Sequence, residues 1–228
     1  MHSIANTSLD HNTEARAFHL NAWWLYAAIV VFYLVASFVV DKTILTKDVY
    51  YQGFAEQMTA ERIDAILTMR SSYWWAQGIG PFILVSIKAG FTALCLCIGV
   101  IFIGQDLHIK QAFRIALFAE SVFVLQMAVQ VLCGVFVLDV RVPDDYANFA
   151  PLSLLQAFDP ATLALWMKHP LRTVNLFEVA YMLVLAYFLT PLLKKRSYGQ
   201  TVGLVAASYG LGLLLWVVAL AFLLLQVS

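Results

Sequence analysis

Apolar runs alternate with polar segments along the whole chain, and five of the runs read as helices that cross a membrane, at residues 22–40, 79–103, 115–138, 174–193 and 202–225. A hydrocarbon core of about 30 Å takes roughly 20 helical residues. The clearest pair is 79–103 with 115–138, joined by GQDLHIKQAFR; the first run holds one charge, Lys88, and the second one, Glu120. This pair reads as a membrane-spanning hairpin to which the rest of the chain is added. The predicted fold is all-α: a five-span bundle over 22–228 behind a polar tail, 1–21, which has no periodicity and is expected to fray.

The polar segments carry their own signals. Trp23, Trp24 and Tyr26 open the first run, and Tyr73, Trp74 and Trp75 precede the second, as an interfacial aromatic belt would. Between them Thr59 is placed to cap a short amphipathic helix, with Ile63, Ile66, Leu67 and Arg70 at i, i+3, i+4 and i+7. Gly78, Gly80 and Pro81 are read as the opening of the second span, because proline is tolerated in a first turn. Segment 139–173 is punctuated by Pro143, Pro151, Pro160 and Pro170, and predicts two short helices, one after Pro151 and one capped by Asp159. Its many apolar residues mark it as a lid over the bundle or a surface anchor. Asn175 and Glu178 have capping-box spacing at the start of the fourth run. In the fifth, Ala206 with Gly210 and Ser208 with Gly212 give small surfaces for packing within the chain, or between copies in a homo-oligomer.

Composition agrees with this reading. Hydrophobic residues make up 62% of the chain and mean hydropathy is +0.79, against about 45 to 50% apolar residues in soluble domains. Fourteen Lys and Arg balance fourteen Asp and Glu, which points to no nucleic-acid partner. Charge placement is more informative. Arg16, Lys110, Arg114, Lys194, Lys195 and Arg196 lie in short segments on one side of the alternating spans, so the positive-inside rule predicts a cytoplasmic N-terminus and an external C-terminus. Cys95, Cys97 and Cys133 lie in apolar runs as small hydrophobes, with no disulfide expected.

The segments QMTAERIDAILTMR, GQDLHIKQAFRIALFAESVFVL and VNLFEVAYMLVLAYFLTPLLKKRSYGQTVGLVAASYGLG together resemble the Yip family, and especially its short bacterial members. The shared features are span spacing, an acidic helix before the second span, IKQAFRIAL entering the third and NLF starting the fourth. The resemblance covers residue 22 onward. It implies five spans, a cytoplasmic N-terminus and, for a bacterial member, the cell inner membrane. In eukaryotic members it implies contact with small prenylated GTPases and a role in vesicle traffic; the short polar tail here departs from their long cytoplasmic region.

No motif for catalysis is present: there is no GxxxxGK[ST], HExxH, CxxC or GxSxG. Neither cofactor nor metal is expected, and Asp144 with Asp145 is read as a solvated turn. Charge inside a span is costly and marks candidate sites. The candidate set is an intramembrane polar network of Lys88, Glu120, Gln126, Gln130 and Glu178. Glu120, Gln126, Gln130 and Gly134 fall on one stripe that should face protein, with the glutamines bonding between helices. Side-chain lean and axial rise predict that Lys88 pairs with Glu178, while Glu120 stays nearer the cytoplasmic links. The expected function is non-enzymatic: a multi-pass protein that organises the bilayer or scaffolds a membrane or peripheral protein partner. The alternative is a small transporter or ion pathway using Lys88 and the polar face of the third span.

Overall fold

A computed structural model describes residues 22–160 and 162–227, without the side chains of 74–78 and 227. The polar tail 1–21, with His2, His11 and His19, and the belt side chains Trp74 and Trp75 lie outside this description.

The described chain is mostly helical, with turns and irregular links between the helices and, in place of any strand, one isolated β-bridge between Ser153 and Asn175. Its elements are α1 (Ala22–Val39), which runs into a π-turn at Val40–Ile44; α2 (Lys47–Phe54); α3 (Ala60–Ser72); α4 (Trp74–Phe102); α5 (Ile109–Ala119); α6 (Ser121–Phe136); α7 (Pro143–Asn148); α8 (Leu165–Thr173); α9 (Leu176–Leu189); α10 (Tyr198–Val205); and α11 (Leu211–Val227), joined to α10 by a second π-turn at Ala206–Gly210. Four stretches are long and apolar enough to cross a membrane: Ala22–Ile44, Ile79–Phe102, Ile109–Phe136 and Tyr198–Gln226. The run read as the fourth span is an apolar helix too, Leu176–Leu192, but shorter than these.

The third long helix begins at Ile109, six residues before the expected start. The reason is amphipathicity. Within IKQAFR, Lys110, Gln111 and Arg114 are exposed while Ala112 is fully buried, followed by Ile115 and Ala116, so the helix is already packed where mean hydropathy still reads as a link. A turn at Glu120 separates α5 from α6, and the Ser121 hydroxyl beside it donates to the Phe118 carbonyl at 2.8 Å, a back-bond that bends helices. The second long helix also starts early, at Trp74, so Pro81 lies inside it rather than in its first turn. Neighbouring helices make an internal proline tolerable in such bundles.

α9 is the hub. Tyr181, Leu185, Ala186 and Leu189 are fully buried, in a core shared with α4, α5, α6 and α10. Two contacts fix its register on α4: Thr92 Oγ1 meets Tyr181 Oη at 3.0 Å, and Gln105 Nε2 donates to the Lys194 carbonyl at 3.2 Å. Both join residues 89 apart in sequence, so α4 and α9 run parallel. Lys194 N donates in return to Gln105 Oε1 at 2.9 Å, which clasps the links 103–108 and 193–197 together at one end of the bundle.

The two longer links meet at the other end. A Cβ on Gly53 of α2 would stand 2.9 Å from Pro143 Cδ, so the links on either side of the α4–α6 hairpin touch there. Arg70 of α3 reaches back to the Asp41 carboxylate and the Tyr50 hydroxyl, which ties α2 and α3 to the π-turn that ends α1. Thr59 stands at the N-cap of α3 as expected, in extended conformation, but its side chain makes no capping bond. In the second long link the structure corrects the expected helices. The helix expected behind Asp159 begins instead at Leu165, and α7 forms over Pro143–Asn148, where Asp145 Oδ2 accepts from the backbone of Arg141 and Val142 at 3.0 Å each. Asp145 is thus a helix cap. The segment after Pro151 forms a 3-10 turn, Leu154–Ala157. The link is docked on the bundle: α8 packs along α11, and Arg172 Nη1 donates to the Ala147 carbonyl at 3.1 Å.

Both glycines of the last helix's small-residue stripe serve packing within the chain. A Cβ on Gly212 would stand 2.7 Å from Cys95 Sγ, and one on Gly210 would meet Met182 Sδ at 3.9 Å; Ser208 lies against Gly99. Ala206 is exposed. All three cysteines are free.

Candidate functional site

Lys88 and Glu120 meet inside the bundle, level with the first turn of α9. Lys88 lies nine residues into the apolar stretch that starts at Ile79, about 13 Å in, and Glu120 eleven residues beyond Ile109, about 16 Å in. Glu120 is 1% exposed. Its Oε2 lies 3.7 Å from Lys88 Nζ, and its Oε1 accepts from the Tyr181 hydroxyl at 3.3 Å. Tyr181 also bonds Thr92, so one phenol links α9 to both α4 and the α5–α6 turn. The ammonium sits 2.9 Å from the centroid of the Phe123 ring and 5.3 Å from that of Tyr181, within reach of the negative faces of both.

Glu178 has a different partner. Its Oε2 accepts from Tyr209 Oη at 3.1 Å. Tyr209 lies in the π-turn of the last long helix, and its ring packs against that of Tyr181, with centroids 5.3 Å apart and planes tilted by 57°. The extra residue of a π-turn re-aims side chains and often marks a functional position. Here it turns Tyr209 inward, where it is 2% exposed.

The expected pairing of Lys88 with Glu178 is therefore corrected: the ion pair goes to Glu120. The early start of α5 puts Glu120 deeper than the sequence implied. The 89-residue register sets Glu178 level with Ala89, next to Lys88, yet its carboxylate turns to Tyr209. The expected capping box is half formed. Asn175 Oδ1 accepts from Glu178 N at 2.8 Å, but the Glu178 side chain does not return to the cap.

The glutamines do not join this cluster. Gln130 is buried and donates to the Phe149 carbonyl at 3.1 Å, near the far end of α6, and Gly134 lies against Ile44 and Tyr146. Gln126 is half-buried and makes no hydrogen bond among the described residues. The stripe faces protein as expected, but at two different places, because Glu120 and Gly134 stand about 21 Å apart along the axis. Sequence reasoning missed Thr92, Tyr181 and Tyr209. Tyrosine in the middle of an apolar run, away from any interfacial belt, was the available signal; Tyr181 also follows Glu178 by three residues, on one helix face.

No family model, curated protein or solved structure matches the chain when it is searched against them.

Proposed function

We propose that the chain is a non-enzymatic membrane protein with five crossings that organises the bilayer or scaffolds a protein partner. Support for the fifth crossing comes from the helix α9 and the 3-10 turn after it, Thr190–Leu192. Fourteen α-helical residues at ~1.5 Å and three at ~2 Å give about 27 Å, close to the thickness of a hydrocarbon core. Its last turn lies at the clasped end, beside Gln105, and its first turn meets Leu152 of the docked outer segment. Five crossings with the clasped end in the cytoplasm place the basic residues Lys110, Arg114, Lys194, Lys195 and Arg196 inside and the two longer links outside. The bacterial inner membrane and the resemblance to the Yip family belong to the same reading.

The observation that carries the functional part is that the charged groups at mid-depth are spent on the bundle itself. Glu120 holds Lys88 and Tyr181, and Glu178 holds Tyr209. What remains for outside contact is the docked outer segment, with Leu152, Leu154, Phe158 and Leu165 exposed. A photo-crosslinking residue at Leu154 or Phe158, in cells, tests this reading. Discrete protein adducts are expected; adducts with lipid alone would refute the scaffold. Reporter fusions at both termini test the topology, with opposite sides expected.

One observation favours the second reading, an ion pathway. The Lys88 side chain is 35% exposed although it lies about 13 Å along its apolar stretch. Flux in proteoliposomes that vanishes in Lys88→Met, with the bundle still folded, would promote that reading over the scaffold.

A further inference from the structure

The charges of the mid-depth cluster do not balance. Among the described residues Lys88 is the one cation in it, and Glu120 and Glu178 are both carboxylic acids. The other groups that face them are neutral donors or rings: Thr92 on α4, Phe123 on α6, Tyr181 on α9, Tyr209 in the π-turn, and Tyr33 from α1, on the side of Glu120. With both acids ionised the cluster would carry one net negative charge among apolar helices. An uncompensated buried charge is strongly unfavourable, and a neutralising partner removes that cost.

Geometry decides which acid is left over. Glu120 has the ammonium at 3.7 Å and a phenol on its other oxygen, both of which stabilise an anion. The ammonium is in turn held against the Phe123 ring. Glu178 has one neutral donor, Tyr209, and forms no ion pair among the described residues. It is also the less buried of the two acids, and it lies in the first turn of α9, against the docked outer segment. We propose that the cluster is a proton-binding site: a single exchangeable proton sits on the Glu178 carboxyl, with Glu120 ionised against Lys88, and it reaches the outer side past the start of α9. In this step an O–H bond forms on Glu178 as an O–H bond of a hydronium ion on the outer side breaks and leaves water; nothing is oxidised or reduced.

The number of protons then follows from the number of acids less the number of lysines. The wild type holds one. Glu178→Gln holds none. Glu120→Gln also holds none, because Lys88 then takes Glu178 as its partner. Lys88→Met holds two. Exposed carboxyl groups, ionising near pH 4, contribute nothing at neutral pH. The experiment is infrared spectroscopy of the purified full chain in lipid nanodiscs at pH 7, in H2O and D2O, with circular dichroism to confirm folding. A protonated-carboxyl carbonyl band that shifts in D2O is expected in the wild type. It should be absent from Glu178→Gln and Glu120→Gln and about twice as intense in Lys88→Met, by the one-acid-per-lysine count. No band in the wild type, or a band that survives in Glu178→Gln, overturns the proposal. A band seen only after sodium and potassium are removed also overturns it, since a monovalent cation would then be the ligand. Should Lys88→Met or Glu120→Gln fail to fold, the wild type and Glu178→Gln still decide, because an amide oxygen at that position still accepts from Tyr209.

Discussion

Gly99→Ala should loosen the contact between α4 and the π-turn of the last long helix, and the structure sets its size. The added Cβ would stand 2.6 Å from Ser208 Cβ and 2.8 Å from Ser208 Oγ, where ordinary contact begins at 3.4 Å. Ser208 Cβ is bonded to the backbone and cannot swing aside, so the two helices must part by about 1 Å. Overpacking of this kind costs about 1–3 kcal/mol. The same geometry predicts a rescue. Ser208→Gly removes both clashing atoms, and the Ser208 hydroxyl makes no hydrogen bond among the described residues whose loss would offset the gain. The double variant should recover most of the loss, a coupling of about 0.5–3 kcal/mol. Denaturant titration of the four forms in mixed micelles, followed by near-ultraviolet circular dichroism, measures it. A Gly99→Ala variant as stable as the wild type, or two substitutions that simply add, would refute the packing argument.

Tyr181→Phe removes the donor to Glu120 Oε1 and the bond to Thr92; it should cost about 1–3 kcal/mol in the same titration, because a buried acceptor is left unpaired. Arg70→Lys cannot reproduce the fork that holds Asp41 and Tyr50 together, so α2 and α3 should become more open to limited proteolysis while the long helices stay protected. His169, in the docked link, is held below the ordinary histidine range first by burial and then by the Arg172 guanidinium. A histidine whose folded form resists protonation contributes stability that is present above its ordinary value of about 6.5 and is lost as pH falls below it. The thermal midpoint should therefore drop between about pH 7 and pH 5 in the wild type, and by less in His169→Gln; equal slopes would refute this.

How legible the sequence was depended on where each signal resides. Uniformly apolar runs such as 22–40 and 202–225 declare themselves by composition, and the structure finds helices there. The start of α5 was hidden because Lys110, Gln111 and Arg114 occupy one helical face, and averaging over the run erased a period that residue-by-residue reading would have kept. The choice between Glu120 and Glu178 as partner of Lys88 turned on a few ångströms of register, which the Thr92–Tyr181 and Gln105–Lys194 contacts set and no single run encodes. The inward turn of Tyr209 depends on a π-turn. The turn lies against α4, with Ser208 on Gly99 and Gly212 beyond it on Cys95, and a stretch reading AASYG carries no local sign of it.

That π-turn also makes the last helix sensitive to count. A π-turn holds one residue more than the α-helical ladder needs. Deleting one exposed residue there, Ala207, would let the ladder close without losing a helical bond, and by composition the change would look harmless. The helices on either side would keep their faces to the bundle, because the turn absorbs its extra residue locally, and only the side chains inside it would be re-aimed. Tyr209 is one of them, so its place on Glu178 would be lost while Gly212, beyond the turn, kept its own on Cys95. In this segment a frame-preserving loss of one codon is a more selective lesion than most substitutions, because it removes the turn that aims Tyr209 and leaves the helix face that meets the bundle.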